Sequence, residues 1–481
     1  MTESHPAIAE LTRIVGDDGI LTGADELLVY ECDGFPITKG LPTAVVFPTS
    51  TQQVSQCVKV LARHDIPIVP RGSGTGLTGA AVVYGSGVLI NTTRMNRIES
   101  VDLSNRVAVV QAGVCNLALS DALKSTGLRF SPDPSSQRAS TIGGNASTNA
   151  GGINTLKHGV TTNHVVGMEV VLADGTIQAL RADHNYDGIG ADLPGLMCAS
   201  EGTLGIICRI WCRLVPNPTH MRTFYATFDS VRDACQTVSD VIADGIVPTS
   251  MEMMDASMIQ IIEGAFHLGF SNTAAAMLLL EIDGVEQVLD EQMQHIIEIA
   301  ESNHGSDIKQ CSDEQTRTKL WSARKKAFGA VGRVSHSYCT QDACVPRSTL
   351  PDVMEEVERI GERYDIKITN VFHAGDGNIH PILLFDEDDP DDVQKTLRAS
   401  EEILEHCISI GGTITGEHGI GVEKLHLMDK MFTPETIETF QSIKFTLDPD
   451  HRINDGKHIP SDTLKVEILE PVTPNVPGGA F

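Results

Sequence analysis

A chain of 481 residues, 41% hydrophobic and 21% charged, is long enough for two or three well-filled domains and ordinary in composition for a soluble globular protein. Its net charge of −28 argues against nucleic acid, because phosphate backbones are held by basic surfaces, and against docking on anionic lipid. Small anionic substrates remain open, since one local Arg or Lys overcomes the average field.

The N-terminal stretch MTESHPAIAELTRIVG has neither a basic n-region nor an apolar h-region. The run AAAMLLLEI is far shorter than the ~20 apolar residues that span a bilayer. Eleven scattered cysteines, an odd number without a CxxC pair, read as reduced thiols. They offer no motif for an iron–sulfur cluster. The expectation is a cytoplasmic protein with no direct membrane insertion.

Residues 1–37 read as a helical lead-in. In STQQVSQCVKVLARHDI, Ser50 and Gln53 have the spacing of a capping box, and Val54, Val58 and Leu61 recur at helical spacing. IPIVP is a short strand that runs into PRGSGTGLTGAA, residues 70–81, with a formal GxGxxG. In a dinucleotide-binding βαβ unit such glycines open a helix whose N-terminus receives the pyrophosphate. Here AVVYGSGVLINTT follows and reads as strands, so the Rossmann reading fails. The loop's N–H groups can still converge on phosphate oxygens. Residues 131–159, SPDPSSQRASTIGGNASTNAGGINTLKHG, are a poor core former and a good lining for a polar cofactor. Loops of that length inside a compact domain are usually functional. VGMEVVLADGTI is β-type, and VPNP, residues 215–218, is a natural boundary.

Beyond it, helix-like stretches begin near Val231, Val285, Ser312, Leu350, Asp391 and Pro434. They alternate with strand-like AAAMLLLEI, KITNVFHA and GGTITG, which predicts helices packed on an antiparallel sheet. The acidic run DEDDPDD, residues 386–392, reads as a solvated loop and helix N-terminus. The last stretch, with three prolines after Pro460, reads as a flexible tail. The expected organisation is a lead-in (1–37), a first domain (38–217), a second domain with a C-terminal return (218–460) and the tail (461–481).

NVFHAGDGNIHP and GGTITGEHGIGVEK follow strand-like runs and are held by glycines, so His373, His380, Glu417 and His418 can converge at one sheet edge. Two imidazoles and a carboxylate suit a divalent first-row metal with open positions. Acid–base roles and structural hydrogen bonding stay open on the residues alone. Gly375 and Gly377 break any helix between the histidines, and Asp376 and Asn378 read as turn-formers. WSARKKAF places Arg324, Lys325 and Lys326 on a helix with only one inward face. Lys325 and Lys326 read as solvated charges.

PRGSGTGLTGA, DPSSQ, TIGGN, NAGG and ASEGTLGII together resemble the FAD-binding domain of the vanillyl-alcohol oxidase/p-cresol methylhydroxylase superfamily. NVFHAGDGNIHP and GGTITGEHGIGVEK resemble its D-2-hydroxyacid dehydrogenase branch, above all the FAD-binding D subunits of bacterial glycolate oxidases. The likeness runs from about Asp33 to Pro460. It implies an α+β fold: a two-part FAD-binding domain, then a substrate domain with an antiparallel sheet and a C-terminal helical segment. It also implies FAD, non-covalent here because the first loop lacks the histidine that carries covalent flavin in some relatives.

Residue by residue, the resemblance implies that Pro70, Arg71, Gly72, Ser73, Gly74, Thr75, Gly76, Leu77 and Thr78 wrap the pyrophosphate. Pro132, Ser135, Thr141, Gly143, Gly144, Asn145, Gly151 and Gly152 would line the flavin and ribityl chain. Glu201, Gly202, Gly205 and Ile207 would close on the cofactor, with Asn378 and Asn454 as further contacts. His373, His380 and Glu417 would bind a divalent metal of the Zn, Mn or Fe type. His418 would be the base, and Arg324 would grip the substrate carboxylate.

Relatives acting on 2-hydroxyglutarate have Thr, Lys and Asn where this chain has Phe328, Thr340 and Ile382, which favours a small mono-carboxylate such as glycolate or D-lactate. The implied reaction is FAD-dependent oxidation to the 2-oxo acid, with electrons leaving to an external acceptor. A second flavin-like subunit and an iron–sulfur subunit are the implied partners and would tether the chain to the inner membrane. The alternatives are a stand-alone D-lactate or D-2-hydroxyglutarate dehydrogenase and a non-catalytic flavin-binding subunit, which loss of His418 would mark. A zinc hydrolase would leave the glycine loops unexplained.

Overall fold

The computed structural model describes residues 5–180, 190–271, 273–311 and 313–461. Residues 462–481, almost all of the expected tail, and Ser312 lie outside them.

Strand Ala44–Val46, helix Thr51–Arg63 and strand Ile68–Arg71 form a parallel crossover, and Val88–Asn91 inserts between the two strands, parallel to both. Ile20–Leu21 adds antiparallel at one edge. The helix buries Val54, Cys57, Val58 and Leu61, the apolar face its spacing predicts. Half of its capping box forms. Ser50 Oγ accepts from Gln53 N at 3.3 Å, whereas Gln53 Oε1 accepts from Thr49 N, one residue further out. After Ile68–Arg71 the glycine loop opens no helix, and of the strand-like run after it only Val88–Asn91 is a strand.

A second sheet of five antiparallel strands runs Ile98–Asp102, Val107–Gln111, Ile206–Arg213, Val165–Val171, Ile177–Leu180. The Gly/Ser/Asn stretch between its strands Val107–Gln111 and Val165–Val171 is more regular than a loop. Ile142–Thr148 is a helix, capped by Thr141 Oγ1 on Gly144 N at 3.1 Å and ended by left-handed Asn149. A Cβ on Gly143 would lie 2.6 Å from that of Ala112. Close packing on the sheet therefore offsets the glycine's poor helix propensity.

The C-terminal part is a seven-stranded antiparallel sheet ordered Ser306–Gln310, His220–Phe228, Ala276–Gly284, Ser250–Asp255, Lys367–Phe372, Pro381–Phe385, Ser337–Thr340. AMLLLEI reads as an unbroken apolar run because both faces are covered. Leu278 and Leu280 pack under helices Val231–Ala243, Glu286–Ser302, Leu350–Tyr364 and Pro390–Ser409. Met277 and Leu279 pack under Ala256–Phe266, Glu314–Lys325 and Ala327–Val331. The sequence pattern missed Ala256–Phe266, an apolar helix whose start is marked by Asp255 accepting from Met258 N at 2.8 Å. In the acidic run, Asp389 caps Pro390–Ser409 through Asp391 N at 3.0 Å.

GGTITG is not a strand. Residues 411–416 form a loop whose last amide, with the next two, points at the buried carboxylate of Asp342 instead of a neighbouring strand. The chain finally returns to the first sheet. Ile68 N donates to Arg452 O and Asn454 N to Ile68 O, both at 2.8 Å, and Ile453 is buried in that core. All eleven cysteines are free, and no helix of the described residues is long and apolar enough to cross a membrane.

Candidate active site

A cavity of about 500 Å³ lies between the glycine loops and the seven-stranded sheet. Its first wall is residues 70–77 with Ser135, Thr141, Gly143, Gly144, Asn145, Glu201, Gly202, Gly205 and Ile207. Its far wall is Arg324, Phe328, Tyr338, His373, His380, Glu417 and His418. The two motif sets, far apart in sequence, thus share one space.

The glycine wall is stripped to backbone for steric reasons. A Cβ on Gly72 would sit 2.4 Å from Thr141 Oγ1, and one on Gly74, at φ +72°, would sit 2.2 Å from Arg71 Nη2. Arg71 is buried beneath the loop. Nη1 donates to Ala81 O at 3.2 Å, and Nε has no partner. Half-buried Asp33 accepts from Phe35 N and Ala81 N at 2.9 and 3.3 Å and faces the same guanidinium. Such a cradle of N–H groups and one buried cation fits a diphosphate.

Six expected contacts do not line the cavity. Thr78 gives its carbonyl to Val422 N and Glu423 N, and Pro132 gives its own to Asn116 Nδ2. Gly151 N donates to Glu417 Oε2 at 3.0 Å, tying the flavin-side loop to the histidine side. Gly152 packs on the Asp133 carbonyl, and Asn378 lies beneath Gly416. Asn454 Nδ2 donates to Ala80 O at 3.0 Å and Glu201 O at 2.7 Å, so it clamps the loop from behind. Glu201 lines the cavity, but its carboxylate accepts from Ile420 N and Gly421 N at 2.6 and 2.8 Å.

The turn between the histidines is a tight hairpin. His373 N donates to Asn378 O at 3.0 Å and Asn378 N to His373 O at 3.3 Å. Gly377, at φ +77°, closes it where a Cβ would lie 2.2 Å from Val345 O. Asp376 is half-buried within it, and desolvation pushes its carboxyl up to about 7. His373 and His380 meet edge to face at 5.2 Å, and His418 stacks on His380 at 4.9 Å, 8° from parallel. Glu417 Oε1 lies 3.3 Å from His373 Nε2 and 3.5 Å from His380 Nε2. Donor atoms of His373, His380 and Glu417 all fall within 4.8 Å of one another, as do those of Asp342, His380 and His418. Neither ring nitrogen of His380, itself 1% exposed, makes a hydrogen bond.

Charge is distributed unevenly over this cluster. Burial pushes the Glu417 carboxyl up, but His373, then His380 and His418, outweigh it and hold it at about 2. Burial also draws the His418 imidazole down to about 4, against the pull of Asp342, so it is neutral at neutral pH. Arg324 is 1% exposed; Nη2 lies 2.5 Å from Glu252 Oε2, and none of its three guanidinium nitrogens has a well-aligned hydrogen bond. Lys325 is not the solvated charge its helix position predicts. Nζ reaches Asp133 Oδ2 at 2.7 Å and links the helix to the glycine-rich side. Lys326 is exposed. Of the three positions expected to differ from 2-hydroxyglutarate enzymes, only Phe328 faces the cavity; Thr340 and Ile382 pair with each other across two strands.

Sequence reasoning missed Glu252 and Asp342. Their signal was a single acid inside a strand-like run, SMEMM and CTQDACV.

The family described as FAD binding domain matches residues 42–181, and the one described as FAD linked oxidases, C-terminal domain, matches residues 217–458. Fold, cavity and these matches define an FAD-dependent oxidoreductase. The chain belongs to the FAD-linked oxidase family. It is 41% identical, over 92% of this chain and 88% of the relative, to the Escherichia coli K12 protein named glycolate oxidase subunit GlcD. Identity is 36% to the Bacillus subtilis protein of the same name, over 96% and 98%. It is 32% to a D-lactate dehydrogenase of Archaeoglobus fulgidus, over 86% and 90%. The structure of p-cresol methylhydroxylase with substrate bound superposes with a TM-score of 0.82 at 18% identity, covering 96% of this chain and 97% of that one, and shows the fold.

Proposed function

We propose that this FAD-dependent enzyme oxidises a small D-2-hydroxy acid, glycolate or D-lactate, to the 2-oxo acid. The observation that carries the reading is Arg324, a buried guanidinium with unsatisfied N–H groups, in the cavity that also holds His418 and the glycine loops. Relatives named glycolate oxidase subunit and D-lactate dehydrogenase support the substrate class.

The residues fit both bound groups. The glycine cradle with Arg71 suits the FAD diphosphate, and the absence of a histidine from the first loop favours a non-covalent flavin. His373, His380 and Glu417 suit a divalent ion, since a deeply buried imidazole without a hydrogen bond is an available ligand. When bound, the flavin supplies the hydride acceptor and the ion lowers the pKa of the substrate hydroxyl.

The chain's own groups do the rest. Arg324 orients the substrate through its carboxylate, and Glu252 balances the buried cation from behind. Glu252 Oε1 lies 2.7 Å from His373 Nδ1, which fixes the ring and turns Nε2 towards Glu417. Neutral His418 accepts the hydroxyl proton as the O–H bond breaks, while the α-hydrogen departs with its electron pair. Phe328 and Tyr338 line this end of the cavity.

The same reading places a domain division near residues 217–218. It adds a second flavin-like subunit and an iron–sulfur subunit as electron acceptors, and a cytoplasmic site at the inner membrane through them. Anaerobic flavin bleaching with glycolate, D-lactate, L-lactate and D-2-hydroxyglutarate tests the substrate. Glycolate or D-lactate is expected to bleach; bleaching by D-2-hydroxyglutarate alone would sink the small-substrate assignment.

A further inference from the structure

Asp342 sits in the turn between Ser337–Thr340 and Ala343–Cys344, fully buried. Its Oδ2 accepts from Thr415 Oγ1 at 2.7 Å and from the backbone N–H groups of Gly416, Glu417 and His418 at 2.8, 3.1 and 3.0 Å. Its Oδ1 lies 3.4 Å from His380 Nε2. The charge is balanced by Lys424, also fully buried, whose Nζ donates to the Asp342 carbonyl at 2.9 Å and lies 3.7 Å from Oδ2.

We propose that Asp342 is a positioning residue that sets Glu417 and His418 for the oxidation read above, and the proposal rests on that reading. Three consecutive amides directed at one oxygen form a nest, which fixes the backbone torsions of the loop. Those torsions decide where the next two side chains point. Glu417 is thereby brought within 3.5 Å of both His373 and His380. His418 depends on the loop more than its neighbours do. Its buried Nδ1 has no hydrogen bond, and its ring is located by its backbone and by the stack on His380. The network continues past the site, where Thr415 Oγ1 accepts from Gly419 N at 2.9 Å. A carboxylate here does what a strand partner would otherwise do: it satisfies the part-buried amides of the loop. It does so from a direction that leaves the next two side chains free to face the cavity.

The test uses the full-length holoprotein. Asp342→Asn keeps one oxygen for the four donors and removes the charge, and Thr415→Val deletes one donor and keeps the charge. Flavin content, affinity for an unreactive carboxylate (acetate) and the anaerobic flavin reduction rate at saturating substrate are measured for each. Asp342→Asn is expected to lower the saturating rate by roughly 10–100-fold, in line with losses at residues that orient ligands. Acetate affinity and flavin content should stay near wild type, a split that general loosening of the fold would not give. Thr415→Val should show a smaller loss of the same kind. A reducible wild type whose Asp342→Asn form reduces within threefold overturns the assignment. Should that variant fail to fold, a Thr415→Val rate within experimental error of wild type overturns it equally. A wild type that no 2-hydroxy acid reduces overturns the functional reading itself.

Discussion

Glu252 and Arg324 form a fully buried ion pair, Oε2 to Nη2 at 2.5 Å, and the second oxygen of Glu252 lies 2.7 Å from His373 Nδ1. One carboxylate therefore couples the residue proposed to grip substrate to one that faces the candidate metal position. Burial opposes its charge, but Arg324 and then His373 hold its pKa below the usual carboxylate range. Glu252→Gln leaves the guanidinium uncompensated, and breaking a buried pair in this way costs about 3–5 kcal/mol. The expected result is a clear fall in Tm together with slower flavin reduction; an unchanged Tm would show the pair is not the balance described.

Arg324→Lys tests the carboxylate grip itself. A lysine keeps the charge but loses the planar pair of donors. Hydrogen bonds to charged groups contribute about 1.5–3 kcal/mol, so the ratio kcat/KM should fall by roughly 10–100-fold, mostly through KM. Anaerobic titration with glycolate or D-lactate reads this directly, and an unchanged KM would take Arg324 out of the substrate site.

Much of this was legible in sequence, and for a physical reason. Gly72, Gly74, His373, His380, Glu417 and His418 are residue types whose chemistry or backbone freedom is local, so short motifs announce them. The parts that were not legible depend on distant partners. Glu252 meets His373 from 121 residues away, and Asp342 meets Glu417 from 75. Each looked like one acid in a strand-like run. GGTITG has strand-forming residues, yet Asp342 draws the amides that follow it away from any ladder. TIGGN has two glycines, yet contact with Ala112 makes it helical. In both cases tertiary contact overrode local propensity.

The ligand set makes a prediction about metal content. His380→Ala removes one donor from the cluster of His373, His380 and Glu417. The purified variant should lose most of its divalent metal while keeping its flavin, since His380 lies on the wall opposite the glycine cradle. Elemental analysis beside the flavin absorbance gives the answer, and full metal retention would remove His380 from the ligands.

Glu423 gives a pH dependence that involves none of the candidate metal ligands. It is buried near Gln341 and Cys339. Oε1 accepts from Gln341 Nε2 at 2.7 Å and Oε2 has no partner. Burial raises its carboxyl from an ordinary 4.5 to about 7, with Lys424 opposing. A folded-state pKa above the unfolded one means that the native state binds more protons between those values. Stability from this group is therefore complete below about pH 4.5 and declines as pH rises through 7. Glu423→Gln keeps the bond from Gln341 and removes the charge. It should raise Tm at pH 8, by a free energy of roughly 1–3 kcal/mol, and leave Tm at pH 5 nearly unchanged. Thermal unfolding at the two pH values decides: a variant destabilised equally at both would mean the ionised carboxylate is not what the fold is resisting.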